Sequence, residues 1–257
     1  MLMRYPRRPD MHGSNSNATK QSSPQPSEHS ASRRFHARVR LPTKTDVPHL
    51  HKLMQQMASY HNYTQVFTAT ETSISANLFG SDDFPSGTPP FYSATALLLD
   101  VSRSPLVGCS SHNVFCPVLK AVDLVESVDD RESEKYLSQE EEGNGGGGVV
   151  VAGYVLFYPS YSGYFQSPSI FMENLYVREC YRGIGLGKML FSAVASKAAV
   201  LGFCTIDWLV VGWNEEAIEF YRGMGGQIMA DVKRFRLSGE ALLAYVNPAA
   251  KLYFAPH

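Results

Sequence analysis

Cysteine is scarce: Cys109, Cys116, Cys180 and Cys204 are the only four in 257 residues. None stands in a C-x-x-C pair, and four are too few to staple a chain of this length. A disulfide framework is therefore excluded, and reduced, mostly buried thiols in a cell interior are expected. Long apolar runs are missing too. No stretch reaches the ~18–20 residues that a membrane span needs, and the amino terminus lacks the unbroken apolar segment of a secretory signal. Net charge is almost absent, at −1, so no global field draws the chain to nucleic acid or an anionic membrane, and neither partner is expected. No internal repeat is visible. No cluster of His and Cys suggests a metal, and none is expected.

What is present is apolar material. Hydrophobic residues make up 44% of the chain and charged ones 18%, enough for one sizeable core with tails or insertions to spare. The charges are segregated. Residues 1–40 carry eight Arg or Lys against Asp10 and Glu28, a net of +6, while residues 123–142 carry nine acids and two bases, a net of −7. Residues 1–35 read as a disordered basic tail, because residues 11–32 are mostly Ser, Asn, Gln, Pro, Gly and His with little to bury. Pro6, Pro9, Pro24 and Pro26 argue against the amphipathic helix of a mitochondrial transit peptide, so a cytoplasmic protein, with nuclear access open to it, is expected. Residues 117–147 read as a disordered, dispensable surface insertion, acidic and closed by four consecutive glycines, and residues 247–257 as a second tail.

Between these segments, periodicity predicts alternating elements. Ala37, Val39 and Leu41 alternate as in a half-buried strand over residues 36–41. A helix follows, with Thr45 as N-cap, Asp46 at the positive end of the dipole, Pro48 in the first turn, and Val47, Leu50, Met54 and Met57 at helical spacing. A weaker helix covers residues 71–79. Residues 94–101 form a buried strand, paired as a hairpin with the apolar strand from Val149, the long insertion inflating the connection at small entropic cost. Strands are predicted at 169–177, 205–211 and 232–237, with helices at 187–201 and 215–224. Such alternation predicts an α/β fold with helices on both faces of a sheet.

The most informative stretch is Arg182-Gly183-Ile184-Gly185-Leu186-Gly187. It joins a predicted strand to the helix opening at Lys188. A glycine-dense turn lets backbone approach a ligand, and the unpaired amides of a first helical turn, with the helix dipole, suit a pyrophosphate. The glycines are spaced G-x-G-x-G, which fits a dinucleotide fingerprint poorly, even though Asp207 lies at a suitable distance. No Gly-Lys-Ser/Thr follows, which excludes a Walker loop.

R-x-x-G-x-G resembles the pyrophosphate-binding motif of the GNAT acetyltransferases. The similarity extends to Met172-Glu173-Asn174-Leu175-Tyr176-Val177 before the turn and Trp213-Asn214-Glu215-Glu216-Ala217-Ile218-Glu219-Phe220-Tyr221 after it. Within that superfamily these motifs look most like the diamine acetyltransferases, which include spermidine/spermine and thialysine enzymes. The likeness is clear over residues 169–237 and weaker over 36–80, through K-L-M-Q-Q-M-A-S-Y-H. It implies one GNAT domain over residues 36–246, with a mixed, mostly antiparallel sheet splayed between its fourth and fifth strands. It also implies acetyl-coenzyme A as co-substrate, direct transfer to a primary amine in a ternary complex, and a homodimer.

Residue by residue, the resemblance assigns the backbone of Leu175, Tyr176 and Val177 to the pantetheine arm. The amides of Arg182, Gly183, Ile184, Gly185, Leu186, Gly187 and Lys188 are assigned to the pyrophosphate. Asn214 is a coenzyme A contact, or the N-cap of its helix, or both. Tyr221 is the general acid that protonates the departing thiolate; a core tyrosine beside Phe220 is the plainer alternative. Glu173 is the base, since a lysine-like amine, with a pKa of about 10.4, arrives as ammonium. A partly buried glutamate with a raised pKa would suit that task, and an acid that only attracts the cation is the alternative.

Tyr60, His61, Glu173 and Asn174 are the candidate substrate contacts. Polyamine enzymes carry acids where this chain has His61, Asn174 and Lys233, so a shorter diamine or an amino-acid-like amine fits better than a long polycation. Two other readings remain: a protein lysine or N-terminal acetyltransferase, and a non-catalytic acyl-CoA-binding protein. Cys180, beside the glycine turn, is read as incidental.

Overall fold

The computed structural model describes residues 34–80, 89–108, 115–124, 128–138, 148–162, 167–243 and 245. Most of the expected basic tail and the tail at 247–257 lie outside them. The chain divides into two compact units, residues 1–206 and 207–257.

In the first unit, β1 (Arg34–Arg40) pairs antiparallel with β2 (Thr95–Ser102), Arg38 standing opposite Asp100. A half-buried strand was expected, but Arg38 and Arg40 are buried along with Ala37 and Val39. A guanidinium tolerates that only when paired. Here Arg38 donates to Asp100 Oδ2 at 2.8 and 3.0 Å, and Arg40 reaches both Asp100 (2.7 Å) and Asp46 (2.7 and 2.9 Å). The start of the first helix also differs from expectation. Thr43, not Thr45, caps a short 3-10 turn at Lys44–Asp46, because Asp46 turns back to accept from the Thr43 amide at 2.8 Å. That turn leads into α1 (Val47–Tyr60), with Pro48 in its first turn and Val47, Leu50 and Leu53 buried. The shorter α2 (Glu71–Phe79) follows, capped by Thr70.

The insertion was read as wholly disordered, and that reading is corrected. Val118–Asp123 forms β3, antiparallel to β1 with Lys120 opposite Ala37. The outer edge of β1 would otherwise present unpaired amides and carbonyls, and a chain segment with Val118, Leu119 and Val122 can fill it. Residues 128–138 are ordered as well, and Tyr136 is only 3% exposed. The expected hairpin exists: β2 pairs with β4 (Val150–Ser162) from Thr95 opposite Phe157 to Val101 opposite Val150. β4 in turn pairs along its length with β5 (Ser167–Val177). At Gly153 an added Cβ would sit 2.5 Å from the Tyr176 carbonyl oxygen, so only glycine allows the two strands to approach this closely.

The sheet order is β3-β1-β2-β4-β5-β6, with β6 at Thr205–Trp208. Because β3 is an additional strand, the expected fourth and fifth strands are β5 and β6. The Cys204 amide donates to Pro168 O at 2.9 Å, which joins the start of β6 to the start of β5. Central strands read as continuous apolar runs because helices cover both faces of the sheet. Leu97, Leu98 and Leu99 in β2, and Val151, Tyr154, Val155 and Phe157 in β4, are fully buried. Each contributes about 1.5–3 kcal/mol of hydrophobic stabilisation. The helix α3 (Leu186–Val200) buries Leu186, Met189, Leu190, Ala193, Val194 and Ala198, the i, i+3/i+4 stripe of a core-facing helix. Among the described residues no helix is long and apolar enough to cross a membrane.

In the second unit, α4 (Glu215–Gly223) ends one residue short of its expected span, with Met224 as C-cap, and α5 (Gly239–Leu243) is a short addition. β6 ends at Trp208, not Val211, and no strand forms at 232–237. Alternation makes a strand only where a partner edge supplies hydrogen bonds, and residues 229–238 are exposed throughout.

Candidate active site

The glycine turn is built as its composition requires. After Val177 a 3-10 turn at Glu179–Tyr181 redirects the chain, and Gly183 and Gly185 then take φ of +74° and +83°. Gly185 is the N-cap of α3 in the left-handed conformation, which costs other L-residues roughly 1–2 kcal/mol. It brings no side chain to the helix end, so the amides of Leu186, Gly187 and Lys188 face outward without an intrahelical acceptor. A Cβ at Gly183 would meet nothing within 4 Å, so the turn is open where a ligand would lie. Lys120 on β3 brings its Nζ to 3.7 Å from the corresponding position at Gly185. That cation beside an anion-binding turn escapes sequence reasoning because β3 was read as loop.

Arg182 has a further role in the structure. Its Nε donates to the Val177 carbonyl at 2.9 Å. Its guanidinium lies over the ring of Tyr60 at 4.8 Å and that of Tyr176 at 5.4 Å. The motif arginine thus meets the carboxy-terminal end of α1, where Tyr60 and His61 were expected to contact substrate. The same helix end is held from below, as Tyr176 OH donates to Gln56 Oε1 and Tyr154 OH to Met57 Sδ, each at 3.4 Å. Burial, reinforced by the Arg182 charge, pushes the His61 pKa down, so His61 is mostly neutral at pH 7.

Glu173 occupies a special place in β5. Leu156 stands opposite Asn174 and Phe157 opposite Met172, so Glu173 is the extra residue of a β-bulge. Bulges re-aim side chains and cluster beside active sites. The sequence carried no sign of this one, since no glycine marks it. Glu173 was expected to be partly buried; it is exposed, on the side of β5 opposite the buried Ile170 and Met172. Tyr158 OH donates to its Oε2 at 3.3 Å, and the neighbouring Asn174 Nδ2 donates to the Glu173 backbone carbonyl at 2.9 Å. Leu175, Tyr176 and Val177 stand opposite Val155, Tyr154 and Gly153 of β4.

Asn214 and Tyr221 belong to the second unit. Asn214 caps α4, its Oδ1 accepting from the Ala217 amide at 3.1 Å. The Tyr221 ring packs 4.9 Å from Trp208 and 5.0 Å from Phe220. Burial pushes its pKa up to about 12, so the hydroxyl stays protonated at neutral pH and carries a proton it can donate. Lys233 is exposed.

An unexpected element stands behind the turn. Asp130, from the insertion, pairs with Arg178 through two bonds of 2.5 and 2.7 Å and accepts from Tyr181 OH at 2.8 Å. Burial opposes ionisation of Asp130, but the bonds from Arg178 and Tyr181 outweigh it and hold its carboxyl below the usual range. Burial raises the thiol of neighbouring Cys180, with Asp130 adding to the effect, which leaves it protonated and a poor nucleophile. Among the described residues no group of three or more His, Cys, Asp or Glu could hold a metal ion.

Residues 113–225 match the model of the acetyltransferase (GNAT) family. The tyramine N-feruloyltransferase 4/11 of Nicotiana tabacum is 38% identical over 83% of this chain and 92% of its own length. The L-ornithine N5-acetyltransferase of Arabidopsis thaliana is also 38% identical, over 82% of this chain and 88% of its own. The bovine thialysine N-epsilon-acetyltransferase is 35% identical over a shorter span, 36% of this chain and 55% of its own. With the glycine turn opening α3 and two relatives aligned over nearly their whole length, this chain belongs to the acetyltransferase (GNAT) family and is an acyl-coenzyme-A-dependent N-acetyltransferase.

Proposed function

We propose that the protein transfers acetyl from acetyl-coenzyme A to the primary amine of a small diamine or amino-acid-like substrate, directly and in a ternary complex. The observation that carries this reading is Glu173 in its bulge. It is an exposed carboxylate, oriented by Tyr158, on the strand that leads into the acyl-donor turn. Such a group takes the proton of an incoming ammonium, directly or through one water, and the amine then attacks the thioester carbonyl. Tyr221, protonated at neutral pH, gives its proton to the departing thiolate as the tetrahedral intermediate collapses and regains one from the attacking nitrogen, while Glu173 releases its proton to solvent. The amides from Gly183 to Lys188 hold the pyrophosphate; that of Arg182, expected to join them, already donates to the Glu179 carbonyl within the 3-10 turn. Relatives named for ornithine and thialysine support an amino-acid-like amine.

A second reading has its own support. The feruloyltransferase of tobacco is as similar to this chain as the ornithine enzyme is, at 38% each. The acyl group would then be aromatic and the amine tyramine-like. We also propose a homodimer, because residues 229–238 expose Val232, Phe235 and Leu237 at 67%, 91% and 51%, apolar surface that a second copy could cover.

One assay separates these readings. Thiol release is measured with acetyl- and feruloyl-coenzyme A, each against ornithine, lysine, thialysine, putrescine, spermidine, tyramine and a lysine-bearing peptide. Acetyl transfer to ornithine or a short diamine supports the first reading, and feruloyl transfer to tyramine replaces it with the second. Preference for spermidine would overturn the substrate inference drawn from His61, Asn174 and Lys233. Preference for the peptide would make the protein a protein acetyltransferase. Tyr221→Phe should lower kcat by about a hundredfold or more with donor affinity unchanged; unchanged turnover would remove the acid role from Tyr221.

A further inference from the structure

The acidic insertion does not trail into solvent; it grips the connection between β5 and the glycine turn. Its central contact is the buried pair of Asp130 and Arg178, whose side chains are 8% and 4% exposed. The Arg178 guanidinium also lies over the Tyr136 ring at 3.9 Å, and Tyr181 closes the group through its hydroxyl bond to Asp130. Two further bonds tie the segment to α1: Gln56 Nε2 donates to Glu132 Oε2 at 3.3 Å and Lys52 Nζ to the Lys135 carbonyl at 3.1 Å. A last pair fixes it to the sheet, where the Ser138 amide donates to Val149 O at 2.8 Å and Leu137 bridges Val150.

The other end of this contact is the path to the acyl donor. Arg178 follows the last residue of β5, and its amide donates to Ala152 O at 2.9 Å. The backbone then turns tightly, with Tyr181 N donating to Arg178 O and Arg182 N to Glu179 O. Gly183 comes two residues after Tyr181. A displacement at Arg178 or Tyr181 is therefore passed to the amides at the start of α3 within a few residues. The helix end of α1 is held in the same framework, because Gln56 bonds Glu132 on one side and accepts from Tyr176 on the other.

A buried ion pair is weak evidence for stability, since an apolar pair of similar volume often packs as well. What a two-pronged Arg–carboxylate contact adds is direction. We propose that Asp130, acting through Arg178 and Tyr181, is a positioning residue for the acyl donor, and that the insertion is a brace for the donor turn. The proposal rests on the assignment of that turn to acyl-coenzyme A.

The test measures coenzyme A binding by calorimetry, without amine, and steady-state kinetics with the amine that the panel selects. Variants are Asp130→Asn, the double variant Asp130→Asn/Arg178→Gln, and Asp123→Asn as a control elsewhere in the insertion. Asp130→Asn should raise the donor KM and the coenzyme A Kd about tenfold or more, the scale set by sub-ångström to ångström misplacement. The amine KM and kcat should stay within about twofold. A purely structural role would instead lower the active fraction, cutting kcat with the donor constants unmoved, and that result would overturn the proposal. If Asp130→Asn fails to fold, the double variant removes the unpaired buried cation and carries the test. It should melt near the parent yet bind coenzyme A weakly, and parental binding would overturn the brace. Absence of coenzyme A binding by the parent would sink the donor-site assignment and the proposal with it, a result distinct from normal parental binding left unchanged by the variants.

Discussion

Two arginine–aspartate clusters lie inside the first unit, and they use the same chemistry for different ends. The first joins Arg38, Arg40, Asp46 and Asp100 where β1, β2 and the start of α1 meet. The second joins Arg178 to Asp130, with Tyr136 and Tyr181 around them. In the first, the register of the sheet already sets Arg38 opposite Asp100, so the ion pairs neutralise charges that the ladder has placed. In the second, no ladder places Asp130, and the pair fixes the side of the insertion that faces the connection to the donor turn. The first cluster therefore belongs to folding and the second to positioning, and substitutions should separate them.

The largest effect is expected at Asp100, which is fully buried and accepts from both Arg38 and Arg40. Asp100→Asn leaves two buried guanidinium groups with Asp46 as their main counter-charge. Breaking a buried pair in this way costs about 3–5 kcal/mol, a large share of the roughly 5–15 kcal/mol that holds a domain folded. Loss of soluble protein, or a steep fall in the urea midpoint, is the expected result. A variant that melts like the parent would show that the first cluster carries little of the fold.

Next comes a pH effect, since His49 stands between the clusters. It is buried on α1, its ring 6.4 Å from that of Tyr136, and its Nδ1 has no hydrogen-bond partner among the described residues. Burial lowers its pKa, against an opposing pull from Asp46. A histidine whose folded pKa is depressed costs nothing while both states are neutral. As pH falls below about 6.5, the unfolded chain takes up a proton that the folded one refuses, so stability drops. The urea midpoint should fall between pH 7.5 and 5.5, and His49→Gln should flatten that slope. A parental slope that survives the substitution would assign the effect to other groups.

How much of this was legible in the sequence differs between the same two regions. The first cluster was half visible. The strand period over residues 36–41 found β1, but alternation alone put Arg38 and Arg40 on the wet face, because it cannot see a counter-charge sixty residues away. The glycine turn and α4 were readable since their signals are local: glycines where φ is positive, and Asn214 before a helical run. The bulge at Glu173 was not readable, because a one-residue slip depends on the partner strand. Nor was the brace, where an acid-rich composition hid one aspartate and one tyrosine that are buried. The strand expected at 232–237 failed for the opposite reason, a sound period without a partner edge.

A smaller effect is expected at the donor turn itself. Gly185→Ala places a Cβ at φ +83°, a strain of about 1–2 kcal/mol at one exposed position. Relaxing that strain would tilt the first amides of α3, so the donor KM should rise severalfold while the urea midpoint shifts little. If the midpoint falls as far as in Asp100→Asn, the turn belongs with the folding cluster and the division between the two regions fails.

The smallest effect is expected at a third pair, which isolates burial as the deciding variable. Arg34 and Asp123 join β1 to β3 at 2.6 Å, with the same residue types and a contact as short as those inside. Their side chains are 54% and 73% exposed, however, so water competes for both and salt screens what remains. Asp123→Asn should leave the melting temperature, the coenzyme A Kd and the donor KM where they are, at low and at physiological salt alike. A clear loss of stability would mean that β3 depends on this pair to stay on the edge of β1. A loss of donor affinity without a loss of stability would point instead through β3 to Lys120, whose amine stands beside Gly185, and would extend the positioning role beyond Asp130 to the whole insertion.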